Sequence, residues 1–209
     1  MLKLVIFDCD GVMIDSREAN RAYYNHILAR FGLSPMSEEE LDYVHSHNVT
    51  DSVAFIFRDH PHIGMEQVRQ FQLELDYTPF LRYLILEPDL LQFLQTIKPR
   101  YHTAISTNRT NTMPMVLEMF QLNPWFDKVV TALDVKRPKP APDALRVILD
   151  HFSVDASEAV FIGDSTVDRE HVQPFNMPFI AFKNPGLKAD YHVTRFMELL
   201  ELPLFSQKS

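Results

Sequence analysis

The sequence predicts an α/β protein: a doubly wound parallel sheet carrying a small all-helical domain inserted after its first strand. Three observations point there. From about residue 87 onward, short apolar runs alternate with helix-period segments, the pattern of parallel strands joined by helical crossovers. A similar apolar run at residues 2–7 stands far upstream of the others, and the stretch between, residues 16–86, reads as helix with no strand pattern. The strongest polar clusters fall where the apolar runs stop, as ligand-binding residues do in open parallel sheets. The core domain is therefore expected from residues 1–15 and 87–209, and the inserted domain from 16–86.

Leu2 to Phe7 suits a buried strand, and Asp8-Cys9-Asp10-Gly11 breaks it. From Ser16 to Phe31, the residues Ala19, Tyr23, Ile27 and Phe31 recur every four positions, with Gly32 placed to stop the helix. Ser37-Glu38-Glu39-Glu40 has the spacing of a capping box, and further helices are expected over Asp51 to Phe57 and Met65 to Tyr77. The aromatic residues Phe55, Phe57, Phe71, Tyr77, Phe80 and Tyr83 are expected to build this domain's own core. After a helix at Asp89 to Ile97, strands are expected at Thr103 to Ser106, Val129 to Ala132, Ala159 to Ile162 and Phe179 to Phe182. Helices are expected at Met113 to Phe120, Pro142 to Phe152 and after Tyr191.

A formal net charge of −8 repels phosphate backbones, so no nucleic-acid partner is expected and an anionic substrate must be met by local cations. The apolar run before Asp8 is too short for a signal peptide or a membrane span, and no later run reaches the length that either needs. The single cysteine, Cys9, is expected to pack in the core of a protein kept in a reducing, cytoplasmic compartment.

Period-two alternation puts Asp8 and Asp10 on one side of an extended chain, facing one substrate. Thr107 and Asn108 follow the second core strand, and Asp164 and Asp168 a later one. Of the nearby cations Lys136, Arg137 and Lys139, Lys139 is the one chosen, standing in Lys139-Pro140-Ala141-Pro142-Asp143 just before a helix. Taken singly, each has a plainer reading: a solvated turn for the aspartates, a helix cap for Asp164 or Thr107, a surface charge for Arg109. If the four aspartates converge, they raise one another's pKa unless cations join them, and Mg²⁺ suits a few carboxylates plus phosphate oxygens.

In order and spacing these clusters resemble the four motifs of the haloacid dehalogenase superfamily. The match is to Asp8-Cys9-Asp10-Gly11-Val12 with Asp15-Ser16, Ser106-Thr107-Asn108, Lys139-Pro140-Ala141-Pro142, and Gly163-Asp164-Ser165-x-x-Asp168. The place of the insertion is similar to the helical cap of the phosphoglycolate phosphatase and beta-phosphoglucomutase branch. The resemblance implies a Rossmann-like core and a Mg²⁺-dependent phosphohydrolase acting through an aspartyl-phosphate on a small phosphorylated metabolite, phosphoglycolate being the nearest guess. By resemblance Asp8 is the nucleophile and Asp10 the general acid and base. Thr107, the Asn108 backbone and Lys139 hold the phosphoryl group, while Asp8, the Asp10 carbonyl, Asp164 and Asp168 serve the metal.

Other members of the superfamily do different chemistry. A dehalogenase usually lacks the second aspartate of the first motif, which is present here as Asp10. A mutase of the beta-phosphoglucomutase type usually has a histidine where this chain has Asn20, and an arginine before an Asp-Ser pair where it has Val49-Thr50. Hydrolysis is therefore expected over mutation, with a non-catalytic phospho-ligand binder as a third reading. His45 and His47 have no third metal ligand at a recognisable spacing and are read as loop residues. Oligomeric state is not legible in the sequence.

Overall fold

The computed structural model describes residues 1–46 and 49–206. It divides into two compact units, Met1–Ile14 with Leu86–Ser209, and Asp15–Ile85. In the first unit, six strands form one sheet: β1 (Leu4–Phe7), β2 (His102–Ser106), β3 (Lys128–Val130), β4 (Ala159–Gly163), β5 (Phe179–Phe182) and β6 (Tyr191–Val193). Their order is β3-β2-β1-β4-β5-β6, and every neighbouring pair is parallel. β1 lies in the middle, with Leu4 opposite His102 on one side and Ala159 on the other.

All four residues of β1 are fully buried, as expected of a strand with helices on both faces. Alternation then sorts the side chains. Leu4, Ile6, Ala104, Phe161 and Phe179 share one core cluster with Ala144, Leu145, Ile148 and Leu149. From the alternate positions, Phe7 meets Phe93 with ring centroids 6.2 Å apart, and Phe182 meets Phe196 at 4.7 Å. The direction of winding reverses at β1, between β2 and β4, so the carboxyl ends of β1 and β4 flank the place where such sheets bind ligands.

Among its described residues the second unit holds the α-helices α1 (Arg17–Arg30), α2 (Glu38–Ser46), α3 (Val49–Ile56) and α4 (Met65–Glu74). It has its own apolar core, including Tyr24, Ile27, Leu41, Val53, Phe57 and Val68. Gly32, at φ +72°, ends α1 as expected: its N–H bonds the Ala29 carbonyl and that of Leu33 the Leu28 carbonyl, which satisfies the terminal carbonyls. The capping box forms as well, Ser37 N–H donating to Glu40 at 2.9 Å and Glu40 N–H to Ser37 Oγ at 3.2 Å. In the first unit follow α5 (Leu90–Ile97), α6 (Met113–Met119), α7 (Asp143–Phe152) and α8 (Thr166–Val172).

Several sequence expectations need correction. The segment after Tyr191 begins as a strand, β6, and only then turns through a 3₁₀ helix at Phe196–Glu201; three residues at a sheet edge, with Val193 alone buried, carry too little pattern to read. Residues 16–86 are not wholly helical, because Ile85–Leu86 pairs with Ile14–Asp15 as a two-stranded sheet. The helix expected to reach Tyr77 stops at Glu74, before a 3₁₀ turn at Thr78–Tyr83. Among the described residues no helix is long and apolar enough to cross a membrane. His47 lies outside the described residues; His45 sits in α2, its Nδ1 3.4 Å from the Asn20 side-chain amide.

Candidate active site

The extended chain of β1 stops at Phe7, and from Cys9 it folds back on itself, the N–H groups of Met13 and Ile14 both bonding the Cys9 carbonyl. Gly11 takes φ +77°, and a Cβ there would lie 2.0 Å from Asp164 Oδ2. This turn corrects the extended-strand picture of Asp8 and Asp10, whose carboxylates find different partners. Gly11→Ala is expected to cost about 1–2 kcal/mol of backbone strain. By displacing Asp164 it should also weaken divalent-cation binding by about tenfold or more. Chemical denaturation and titration calorimetry check the two parts.

Asp8 is buried, and its Oδ1 accepts from Lys139 Nζ at 2.6 Å. The same ammonium donates to Asp168 Oδ1, also at 2.6 Å. Lys139 is itself buried, whereas Arg137 stands at the surface and pairs with Asp143. Asp168 is fully buried, and its other oxygen, Oδ2, accepts from the backbone N–H groups of Asp164 and Ser165 and from Ser165 Oγ. The N-cap of α8 is thus Ser165 rather than Asp164, which leaves the Asp164 carboxylate for other work.

Asp8, Asp164 and Asp168 bring carboxylate oxygens within 4.8 Å of one another. Burial and the neighbouring Asp168 charge push the Asp8 carboxyl up to about 7 despite Lys139. Burial, then Asp8 and Asp168, push Asp164 up to about 8. Burial opposes charge on Asp168 too, but Lys139 outweighs it and holds that carboxyl below its ordinary value. Hard oxygen donors, buried and repelling one another with one lysine between them, fit a divalent cation.

Asp10 faces Arg109 instead. The guanidinium holds it in a two-pronged grip, Nε to Oδ2 at 3.1 Å and Nη2 to Oδ1, and Nη1 also reaches Thr112 Oγ1 at 3.2 Å. The Arg109 side chain is 7% exposed and that of Asp10 37%, so the pair leaves the carboxylate reachable. Thr107 is buried, its Oγ1 accepting from Arg109 N–H at 3.1 Å. The Asn108 side chain donates to the Lys139 carbonyl at 3.0 Å, pinning that loop to the end of β2.

These motifs fall within a match to the family model of haloacid dehalogenase-like hydrolases over residues 5–182. The chain belongs to the haloacid dehalogenase-like hydrolase family. It is 35% identical to a superfamily hydrolase of subfamily IA from Geobacter sulfurreducens, whose crystal structure superposes with a TM-score of 0.84 over 96% of this chain and 99% of that one. It is 28% identical to the pyrophosphatase PpaX of Bacillus velezensis, over 88% of this chain and 80% of the relative. A haloacid dehalogenase phosphatase from Thermococcus onnurineus, 22% identical, shares the fold at a TM-score of 0.71 over 96% and 97% of the two chains.

Two residues bonded to this candidate site lie outside the motif residues. Asn184, after β5, donates to the Asp164 carbonyl at 2.8 Å, as Asn108 does to Lys139. His171, on α8, is fully buried between Ser106 and Ala141. Neither stands at a strand end beside another motif residue, so nothing in the linear sequence marks them.

Proposed function

We propose that this protein is a cytoplasmic, Mg²⁺-dependent phosphohydrolase that cleaves small phosphate esters through an aspartyl-phosphate on Asp8. The observation that carries this reading is the buried Lys139 ammonium joining Asp8 to Asp168 at the carboxyl edge of the sheet. A Mg²⁺ ion held by Asp8, Asp164, Asp168 and the Asp10 carbonyl would supply charge neutralisation for the transferring phosphoryl group. Lys139 keeps one Asp8 oxygen fixed, so the other oxygen attacks phosphorus in a defined direction. As that bond forms, the bond from phosphorus to the leaving oxygen breaks, and Asp10 gives the oxygen its proton. Asp10 then takes a proton from water, whose oxygen displaces Asp8 and releases phosphate.

Thr107 and the Asn108 backbone flank the phosphoryl oxygens in this reading, and Arg109 aims the Asp10 carboxylate. The helical unit acts as a cap that selects the substrate and excludes water. Phosphoglycolate is the first candidate among carbon esters, and the similarity to the pyrophosphatase PpaX is the reason to test pyrophosphate with it.

The test is phosphate release from phosphoglycolate, a sugar phosphate, a nucleoside monophosphate and pyrophosphate, with Mg²⁺ and with chelator. Release from at least one substrate, lost in chelator, is expected. Absence of release from all four would overturn the reading.

A further inference from the structure

His171 is a buried histidine that the proposed chemistry does not use. Its Nδ1 lies 2.7 Å from the Ala141 carbonyl and its Nε2 3.0 Å from Ser106 Oγ. A carbonyl only accepts, so Nδ1 carries the proton, and Nε2 of the neutral ring then accepts from the Ser106 hydroxyl. Burial first, then the charge of Lys139, push the ring's pKa down to about 4, which keeps it neutral in ordinary buffers. The tautomer is therefore fixed.

Both ends of this bridge bear on one loop. Ala141 follows Lys139 by two residues, and Asn108 grips the Lys139 carbonyl from the other side at 3.0 Å. The loop is thus held at two carbonyls, by an amide from the end of β2 and by an imidazole from α8, and the imidazole is itself oriented by Ser106 at the end of β2. The Phe161 ring completes the packing, with its centroid 5.7 Å from both the His171 ring and Lys139 Nζ. Since Lys139 Nζ must meet two carboxylates at 2.6 Å, a small slip of its backbone breaks at least one contact.

We propose that His171 is a positioning residue for Lys139: through the Ala141 carbonyl it fixes the loop that carries the ammonium between Asp8 and Asp168. The consequence for turnover rests on the phosphohydrolase reading; the consequence for Lys139 itself does not.

The experiment compares His171→Asn, which keeps a donor where Nδ1 stands, with His171→Gln and His171→Leu, which do not. The first readout is the proton–nitrogen NMR signal of the Lys139 ammonium in metal-free protein, and the second is kcat and KM on whichever substrate wild type cleaves. The Lys139 signal is expected to stay in place in His171→Asn and to shift or vanish in His171→Gln. kcat should fall by about 10²-fold in His171→Gln, the cost of roughly 1 Å of misplacement, and recover most of that loss in His171→Asn. Should His171→Leu fail to fold, the Asn and Gln pair still decides. A Lys139 signal that is the same in both overturns the inference, whatever the activity. A signal that moves in a protein with no phosphatase activity upholds it and removes the phosphohydrolase reading instead.

Discussion

Replacing Asp8 by asparagine is expected to remove turnover, lowering kcat by about 10⁴-fold or more, without weakening the fold. The amide oxygen still accepts from Lys139, but it is too poor a nucleophile to capture phosphorus. Stability moves the other way. The Asp8 carboxyl is raised to about 7 by burial and by Asp168, so above that pH it is charged in the metal-free protein at a cost to the folded state. Asparagine never charges, and the variant should unfold at the same temperature as wild type, or higher, at pH 8 in chelator. Retained hydrolysis would remove Asp8 from the nucleophile's role, and a large loss of stability would show that its charge supports the fold.

Replacing Lys139 by methionine should have the largest effect on stability. Methionine fills the volume but leaves Asp8 and Asp168 buried without their cation, and removing one partner of a buried ion pair costs about 3–5 kcal/mol. The loss should depend on pH in a stated direction. Asp8 and Asp164 have native values near 7 and 8, above the unfolded carboxyl value, so the native state binds more protons than the unfolded one between them. Stability without metal therefore falls as pH rises from about 5 to 8, and it falls more steeply in the variant, where nothing offsets the Asp8 charge. Mg²⁺ should flatten the slope in both. Urea denaturation at pH 5.5 and pH 8, with Mg²⁺ and with chelator, measures all of this; equal stability of the two proteins at pH 8 in chelator would contradict it.

The sheet was legible because β1, β4 and β5 are buried at every residue and read as unbroken apolar runs. Strand ends were less so: Thr131, expected inside β3, instead turns back to bond Asp134 with both its N–H and its hydroxyl. The motif residues could be listed from sequence, but their partners could not. Arg109 and Asp10 are 99 positions apart and Lys139 and Asp8 131, so only the winding of the sheet brings them together. His171 was invisible for a further reason: a histidine on the buried face of a helix looks like any half-polar core residue until the carbonyl it serves is known.

The central position of β1 has a consequence for synthesis on the ribosome. Its four apolar residues leave the exit tunnel long before the partners for either edge, which are residues 102–106 and 159–163. At about 5–20 residues per second the nascent chain carries this unpaired strand for on the order of ten seconds or more. Meanwhile the helical unit, with its own apolar core, is already complete. Translation speed between α1 and β4 thus sets how long the backbone groups of β1 wait for their partners.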